Sequence, residues 1–268
     1  MVDRKEGRNA GQLRVLRFVP DYQVHPAASV LACFGRTRVI CSVSVTEGVP
    51  RWMHVQKEPG GWLTSEYQML PGSTSTRSER AATRGRPDGR SQEIQRLVGR
   101  SLRAVVDLAK LPPKTFYVDC DVLDADGGTR CAAITGGCLA LELALHRLAR
   151  NGELGEWPLR ERVAAVSVGI VNGEPLLDLD YEEDVAAEVD MNVAMTSTGR
   201  FVEIQGTAEA TPFSASQLSA LLGLAGGGLK RILAHEKRAL ATWLRKPSEG
   251  SSTVCKPEGA AGAKGRQR

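Results

Sequence analysis

The 268-residue chain is 42% hydrophobic with a formal charge of +4, enough apolar material for a full core as one large domain or two small ones. Residues 246–268 hold five Lys/Arg and two Glu, so the rest of the chain is only +1. That excludes a histone-like polycation and leaves global charge nearly silent about nucleic acid.

Residues 13–20 and 28–34 alternate as strands, and Phe34-Gly35-Arg36-Thr37 leads into a third at 38–46, so a hairpin is expected. Pro50, Pro59, Gly60 and Gly61 mark 48–62 as a loop, and 71–90 reads as irregular, polar and Arg-rich. A helical period starts at Ser91, a plausible N-cap, and carries Ile94, Leu97, Val98, Leu102, Val105, Val106 and Leu108. Pro112-Pro113 are expected to stop it. A strand follows, with Val118, Cys120 and Val122 on one face, then Asp126-Gly127-Gly128 and a helix from about Thr129 to Asn151-Gly152. Residues 163–171 read as a buried strand, and Asn172-Gly173 is the strongest hairpin signal, returning along 175–179. A further pair, 191–195 and 200–205, flanks Ser197-Thr198-Gly199, and two helical segments, 214–224 and 229–244, close the fold. Strands in hairpins with helices between the blocks indicate an α+β fold with a mixed sheet. The organisation expected is one folded domain over 1–245 and a disordered basic tail over 246–268.

The six cysteines form no C-x-x-C pair and the four histidines no H-x-x-H pair, so a zinc site is unsupported and buried free thiols are expected at Cys33, Cys41 and Cys120. The start M-V-D-R-K-E-G-R is charged rather than signal-like, and no apolar run is read as membrane-spanning. The expectation is a soluble cytoplasmic protein that engages no membrane.

Chemistry concentrates at three places. Gly127-Gly128-Thr129-Arg130 joins a strand to a helix N-terminus, whose unpaired N–H groups and positive dipole favour an anion. The glycines let an oxyanion approach the backbone, Thr129 adds a hydroxyl, and Arg130 adds a planar fork. Taken alone the same pattern is also an ordinary turn. Second, Arg77–Arg103 holds eight arginines (77, 80, 84, 86, 90, 96, 100 and 103) and no lysine, a choice that suits bidentate phosphate recognition. Arg96, Arg100 and Arg103 also fit an exposed helix face. Arg90 sits at a loop–helix junction where it can point at a ligand, and Arg77 and Arg80 lie in a Ser/Thr-rich loop suited to gripping RNA or phosphate. Third, Asp178–Asp190 packs seven acids without a base. Their repulsion calls for arginine or a metal, and oxygen-only donors select Mg²⁺ or Mn²⁺. A solvated acidic loop is the alternative. Arginine clamps with a divalent ion would let one phosphate attack another.

The motifs G-W-L-T-S-E-Y-Q-M-L-P (61–71), D-G-R-S-Q-E-I-Q-R-L-V-G-R-S-L-R (88–103), D-C-D-V-L-D-A-D-G-G-T-R (119–130), L-D-L-D-Y-E-E-D (177–184), E-V-D-M-N-V (188–193) and V-E-I-Q-G-T-A-E (202–209) resemble the ribonuclease PH family in order over roughly residues 11–240. The resemblance implies the family's fold, like ribosomal protein S5 domain 2. It also implies phosphorolytic 3′→5′ trimming of tRNA precursors, in which inorganic phosphate releases nucleoside 5′-diphosphates, and a homohexamer built as a trimer of dimers. By the same resemblance Arg90, Gly128, Thr129 and Arg130 bind phosphate. Asp184 and Asp190 serve metal binding and protonation of the leaving 3′-oxygen, Asp178 is a further acidic candidate, and Arg77 and Arg80 contact RNA. Gly72 stands where the family commonly has Arg after M-L-P, which implies an altered RNA grip and an unaltered phosphate pocket. A non-catalytic RNA-binding ring subunit of an exosome-like assembly is the alternative function.

Overall fold

The computed structural model describes residues 4–80, 83, 85, 88–209 and 211–245. The expected tail over 246–268 and the arginines at 84 and 86 lie outside these.

Two sheets share one long central helix. The first has strands β1 (Leu16–Pro20), β2 (Ala28–Phe34), β3 (Thr37–Glu47), β4 (Trp62–Met69) and β5 (Lys114–Asp124) in the order β1-β2-β3-β5-β4. All neighbours are antiparallel except β4, which runs parallel to β5. The second sheet has β6 (Val163–Val171), β7 (Glu174–Leu177), β8 (Val189–Thr196) and β9 (Phe201–Ala208), antiparallel in the order β7-β6-β8-β9. The mixed α+β architecture matches the sequence expectation, and so does the hairpin at Asn172-Gly173, where both residues take positive φ.

Helix α1 is Arg51–Gln56, α2 Gly89–Val105, α3 Thr129–Arg150, α4 Tyr181–Val185 and α5 Ala215–Arg245. α2 and α3 cover the first sheet, α3 also packs on β6 and β8, and α5 packs on β6 and β7. Strand β6 is buried along its whole length, which is why it reads as an unbroken apolar run rather than an alternation. The core around α3 includes Phe34, Leu63, Phe116, Leu102, Ile134 and Leu141.

Several expectations need correction. The stretch 48–62 contains α1, and 62–69 is a strand. The cap of α2 is Asp88, whose carboxylate accepts from the Ser91 N–H at 2.8 Å and from its hydroxyl at 2.8 Å. α2 stops at Val105, before the prolines, because Val106 leaves the helix to bridge Leu159. The two C-terminal helices are one, running through Gly226-Gly227-Gly228. Gly228 is needed there because a Cβ would sit 2.7 Å from Leu177 Cδ1, so α5 lies directly on β7. By length and composition α3 could cross a bilayer, which the sequence reading missed, but its apolar surface is buried inside the protein.

One core group is unexpected. Glu236 on α5 is fully buried, and among the described residues neither carboxylate oxygen has a hydrogen-bond partner. Burial first, then the nearby Glu142 carboxylate of the Glu142–Arg162 pair, push its pKa well above the usual range. A raised folded-state pKa means that stability is full below the unfolded value and is lost as pH rises toward the folded one. Glu236→Met is therefore expected to gain about 1–3 kcal/mol at neutral pH and to flatten the alkaline loss. Denaturant melts from pH 4 to 9 check this, and a variant as pH-sensitive as the parent would contradict it.

Candidate active site

The β5–α3 turn is built by glycines at positive φ, Gly127 at 77° and Gly128 at 65°. A Cβ on Gly127 would meet the Leu179 carbonyl oxygen at 2.6 Å, and one on Gly128 the Arg14 guanidinium at 2.9 Å. The turn is thus pressed against the segment entering α4. Thr129 opens α3 with its Oγ1 accepting from the Tyr67 hydroxyl at 2.8 Å. Arg130, 15% exposed at its side chain, donates from Nη1 to Gln205 Oε1 at 2.6 Å and to Glu93 Oε1 at 3.4 Å. Gln205 Nε2 also donates to Glu93 Oε1, at 2.9 Å.

Across from this turn stand the two acids. Asp190 on β8 pairs in register with Gly169 of β6 and Thr207 of β9. The strand alternation puts it on the same sheet face as Asn192 and Gln205. Asn192 Nδ2 donates to Asp190 Oδ2 at 3.3 Å, while the buried Oδ1 has no partner among the described residues. Burial and then the Asp184 charge push the Asp190 carboxyl up to about 6, against the smaller opposing effect of Arg130. Asp184 lies on α4, which Asp180 caps through a reciprocal bond with Glu183. Burial raises the Asp184 pKa, and the charges of Arg90, Arg130 and Arg14 pull it back. Arg90, exposed at the start of α2, also acts electrostatically on Tyr67, as Arg130 does. Arg90, Thr129, Arg130, Asp184 and Asp190 are therefore neighbours in space, drawn from α2, α3, α4 and β8.

Arg90 also borders a polar groove of about 630 Å³ on the outer face of the first sheet. Its wall carries Glu66, Asp119 and Asp121, the latter two with pKa values raised by burial and by Glu66. That charge disfavours an anion in the groove.

The sequence missed how the acids are neutralised. The N-terminal segment supplies the counter-charges. Arg4 donates to Glu183 at 2.7 and 2.8 Å, Arg8 reaches Glu183 at 3.2 Å and Asp180 at 3.5 Å, and Lys5 pairs with Glu182 at 2.8 Å. Arg14 donates from its backbone N–H to Asp178 Oδ2 at 2.8 Å and from Nη2 to Oδ1 at 2.7 Å. Its Nη1 holds the Asp126 carbonyl at 2.6 Å. Asp178 is buried with both oxygens committed to Arg14, at a left-handed φ of 57°. Its place is therefore in bracing the Gly127-Gly128 turn, not among exposed metal ligands. Glu209, which follows β9, also acts on both Asp184 and Asp190. The motif V-E-I-Q-G-T-A-E contained it, but nothing in its spacing set it apart.

Arg77 and Arg80 stand exposed on the loop after β4, and the arginine charges acting on the two acids come from elsewhere. The loop is tied to the site's end of the first sheet by Leu70 N–H to Val122 O at 3.0 Å and Ala125 N–H to Ser73 O at 2.8 Å. Nothing among the described residues lies within 4 Å of where a Cβ on Gly72 would be. Among the described residues no three His, Cys, Asp or Glu side chains converge on a metal position. Two carboxylates beside two arginines still fit Mg²⁺, which takes one or two carboxylates and completes its shell with water and other oxygen ligands.

Comparison with known proteins places the chain in a family. The model of the 3′ exoribonuclease family, domain 1, matches residues 12–145, and that of domain 2 matches residues 161–228. Among solved structures, the Archaeoglobus fulgidus exosome with RNA bound to its active site superposes with a TM-score of 0.70 at 23% identity, covering 88% of this chain and 92% of that one. Rice (Oryza sativa) Rrp46 gives 0.68 at 20%, covering 88% and 100%, and an archaeal exosome core 0.68 at 23%, covering 87% and 91%. At these identities the structures speak for the fold alone, but the family models span the greater part of the sequence. The chain belongs to the 3′ exoribonuclease family, of the ribonuclease PH type.

Proposed function

We propose that the protein is a phosphorolytic 3′→5′ exoribonuclease that trims the 3′ ends of tRNA precursors, working in the cytoplasm as a homohexameric ring of three dimers. The observation that carries this reading is the meeting of two arginines, Arg90 and Arg130, with a helix N-terminus and two half-buried carboxylates. Inorganic phosphate sits between Arg90, Arg130, the Thr129 hydroxyl and the N–H groups at Gly128, charge-assisted donors that offset its repulsion from the RNA phosphate. One phosphate oxygen forms a bond to the terminal phosphorus, and the bond from that phosphorus to the 3′-oxygen breaks. The released 3′-oxygen takes a proton and the nucleotide departs as a 5′-diphosphate. Asp190, with its pKa near 6 and an unpartnered buried Oδ1, holds a proton closest to neutrality and supplies it. Asp184, where the charges of three arginines oppose the effect of burial, is the better cation ligand. Together the two would hold Mg²⁺ or Mn²⁺, which when bound polarises the phosphate oxygens and neutralises developing charge. Arg77 and Arg80 grip the RNA from their loop.

A second reading, a non-catalytic RNA-binding ring subunit, is favoured by the likeness to exosome subunits. The coexistence of both arginines with both acids favours the enzyme. Incubating 3′-extended tRNA with and without added phosphate separates them. Nucleoside diphosphates released only with phosphate support the proposal. Monophosphates in phosphate-free buffer would overturn it, and RNA binding without any product supports the subunit.

A further inference from the structure

Away from the catalytic acids, at the opposite end of α2, lies an aromatic and basic surface that the reaction does not use. Trp52 on α1 is 41% exposed and meets Trp62 edge-on, ring centres 4.9 Å apart. The Arg103 guanidinium lies 5.1 Å from the Trp62 ring centre and donates from Nη1 to the Leu63 carbonyl at 3.1 Å. Gly60 and Gly61 let this segment pack directly on the 108–112 backbone, where any Cβ would overlap. The ring pair is therefore held in place before any ligand arrives.

The charge around it has one sign in excess. Arg51 and Lys57 are exposed beside Trp52 together with Glu58, and Glu47, four residues before Arg51, is paired with Lys114. Arg96, Arg100 and Arg103 follow at three- and four-residue spacing on α2. Arg100 is shared with Glu203 at 3.3 Å, while Arg96 and Arg103 make no ion pair among the described residues. The stripe starts one turn from Glu93, which touches Arg130. From Arg90 to Arg103 is thirteen residues of helix, about 20 Å. An apolar protein partner would leave these guanidinium groups buried without carboxylates, which is costly. A polyanion with stackable rings satisfies both the arginines and the indole.

We propose that Trp52, with Trp62 and Arg103 behind it, is a stacking platform for unpaired bases of the RNA lying 5′ of the nucleotide being removed, and that Arg96 and Arg100 guide its backbone from the catalytic end of α2. This rests on the phosphorolytic reading for the direction of the strand but not for the binding itself. The test is equilibrium binding of single-stranded RNA of about 4 and about 16 nucleotides to the whole protein, in chelator and without phosphate. Trp52→Ala is expected to weaken the long RNA roughly 5- to 150-fold and to leave the short RNA and blunt duplex unchanged. Trp52→Phe should recover most of the loss. Equal affinity of parent and alanine variant for the long RNA overturns the platform, as does an equal loss for both lengths. A changed sedimentation coefficient for Trp52→Ala also overturns it, by making the surface a protein contact. Phosphate-independent turnover would sink the functional reading and leave the binding result standing.

Discussion

Replacing Arg130 by alanine is expected to lower phosphate-dependent turnover by about 10²–10³ while leaving the fold intact, the usual cost of deleting one preorganised oxyanion donor. The guanidinium is anchored through Nη1 on Gln205 and Glu93, and its other donors have no hydrogen-bond partner among the described residues. The Gln205–Glu93 bond at 2.9 Å needs no help from it, so the strand and helix it links stay together. Lysine keeps the charge but not the fork, and should restore only part of the rate. A second effect separates this role from simple damage. The Arg130 charge lowers the pKa of both Asp184 and Asp190, so its removal should move the acidic limb of the pH–rate profile to higher pH. Steady-state kinetics against phosphate concentration and pH read both effects. An alanine variant with unchanged phosphate dependence would remove Arg130 from the pocket.

Asp190→Asn should lower turnover by about 10²–10⁴, the usual contribution of a positioned general acid, and should also stabilise the protein. The Asp190 pKa is raised to about 6 chiefly by burial. Its contribution to stability is thus full below the unfolded value near 3.8 and is lost as pH rises through about 6. At pH 7.5 in chelator the asparagine variant should exceed the parent by about 3 kcal/mol, and the difference should largely vanish by about pH 4. Urea melts at the two pH values check it. A variant less stable at pH 7.5 would mean that Asp190 is satisfied in a way its unpartnered Oδ1 does not show.

The local signals in the sequence were good guides wherever short-range chemistry decides structure. Asn172-Gly173 specified its hairpin, the apolar run of β6 its burial, and Gly127-Gly128-Thr129 the turn that opens α3. Helix α1 was hidden because Pro50, Pro59 and the paired glycines around it are also loop signals. Ser91 looked like a cap, but Asp88 three residues earlier has a carboxylate that can bond both its N–H and its hydroxyl. The glycines in α5 looked like a break, and of the three only Gly228 has a tertiary reason, its fit on Leu177.

The candidate site was legible for a related reason. Its arginines and acids sit in dense local clusters, even though they come from distant elements. What the clusters could not reveal is the pairing over long range. Arg4, Arg8 and Arg14 look unremarkable near the N-terminus, yet they neutralise Asp178, Asp180 and Glu183 more than 160 residues away. Once those three acids are paired and Glu182 meets Lys5, Asp184, Glu188 and Asp190 are left without an ion pair among the described residues. Asp178 was indistinguishable from them by residue type, and its burial against Arg14 is what separates it.

The pocket's occupant can be followed directly by supplying ³²P-labelled orthophosphate with unlabelled 3′-extended tRNA and isolating the nucleotides released. Label recovered in the terminal phosphate of nucleoside 5′-diphosphates, and lost in Arg130→Ala, is the predicted result. Unlabelled nucleotides released at the same rate would contradict it.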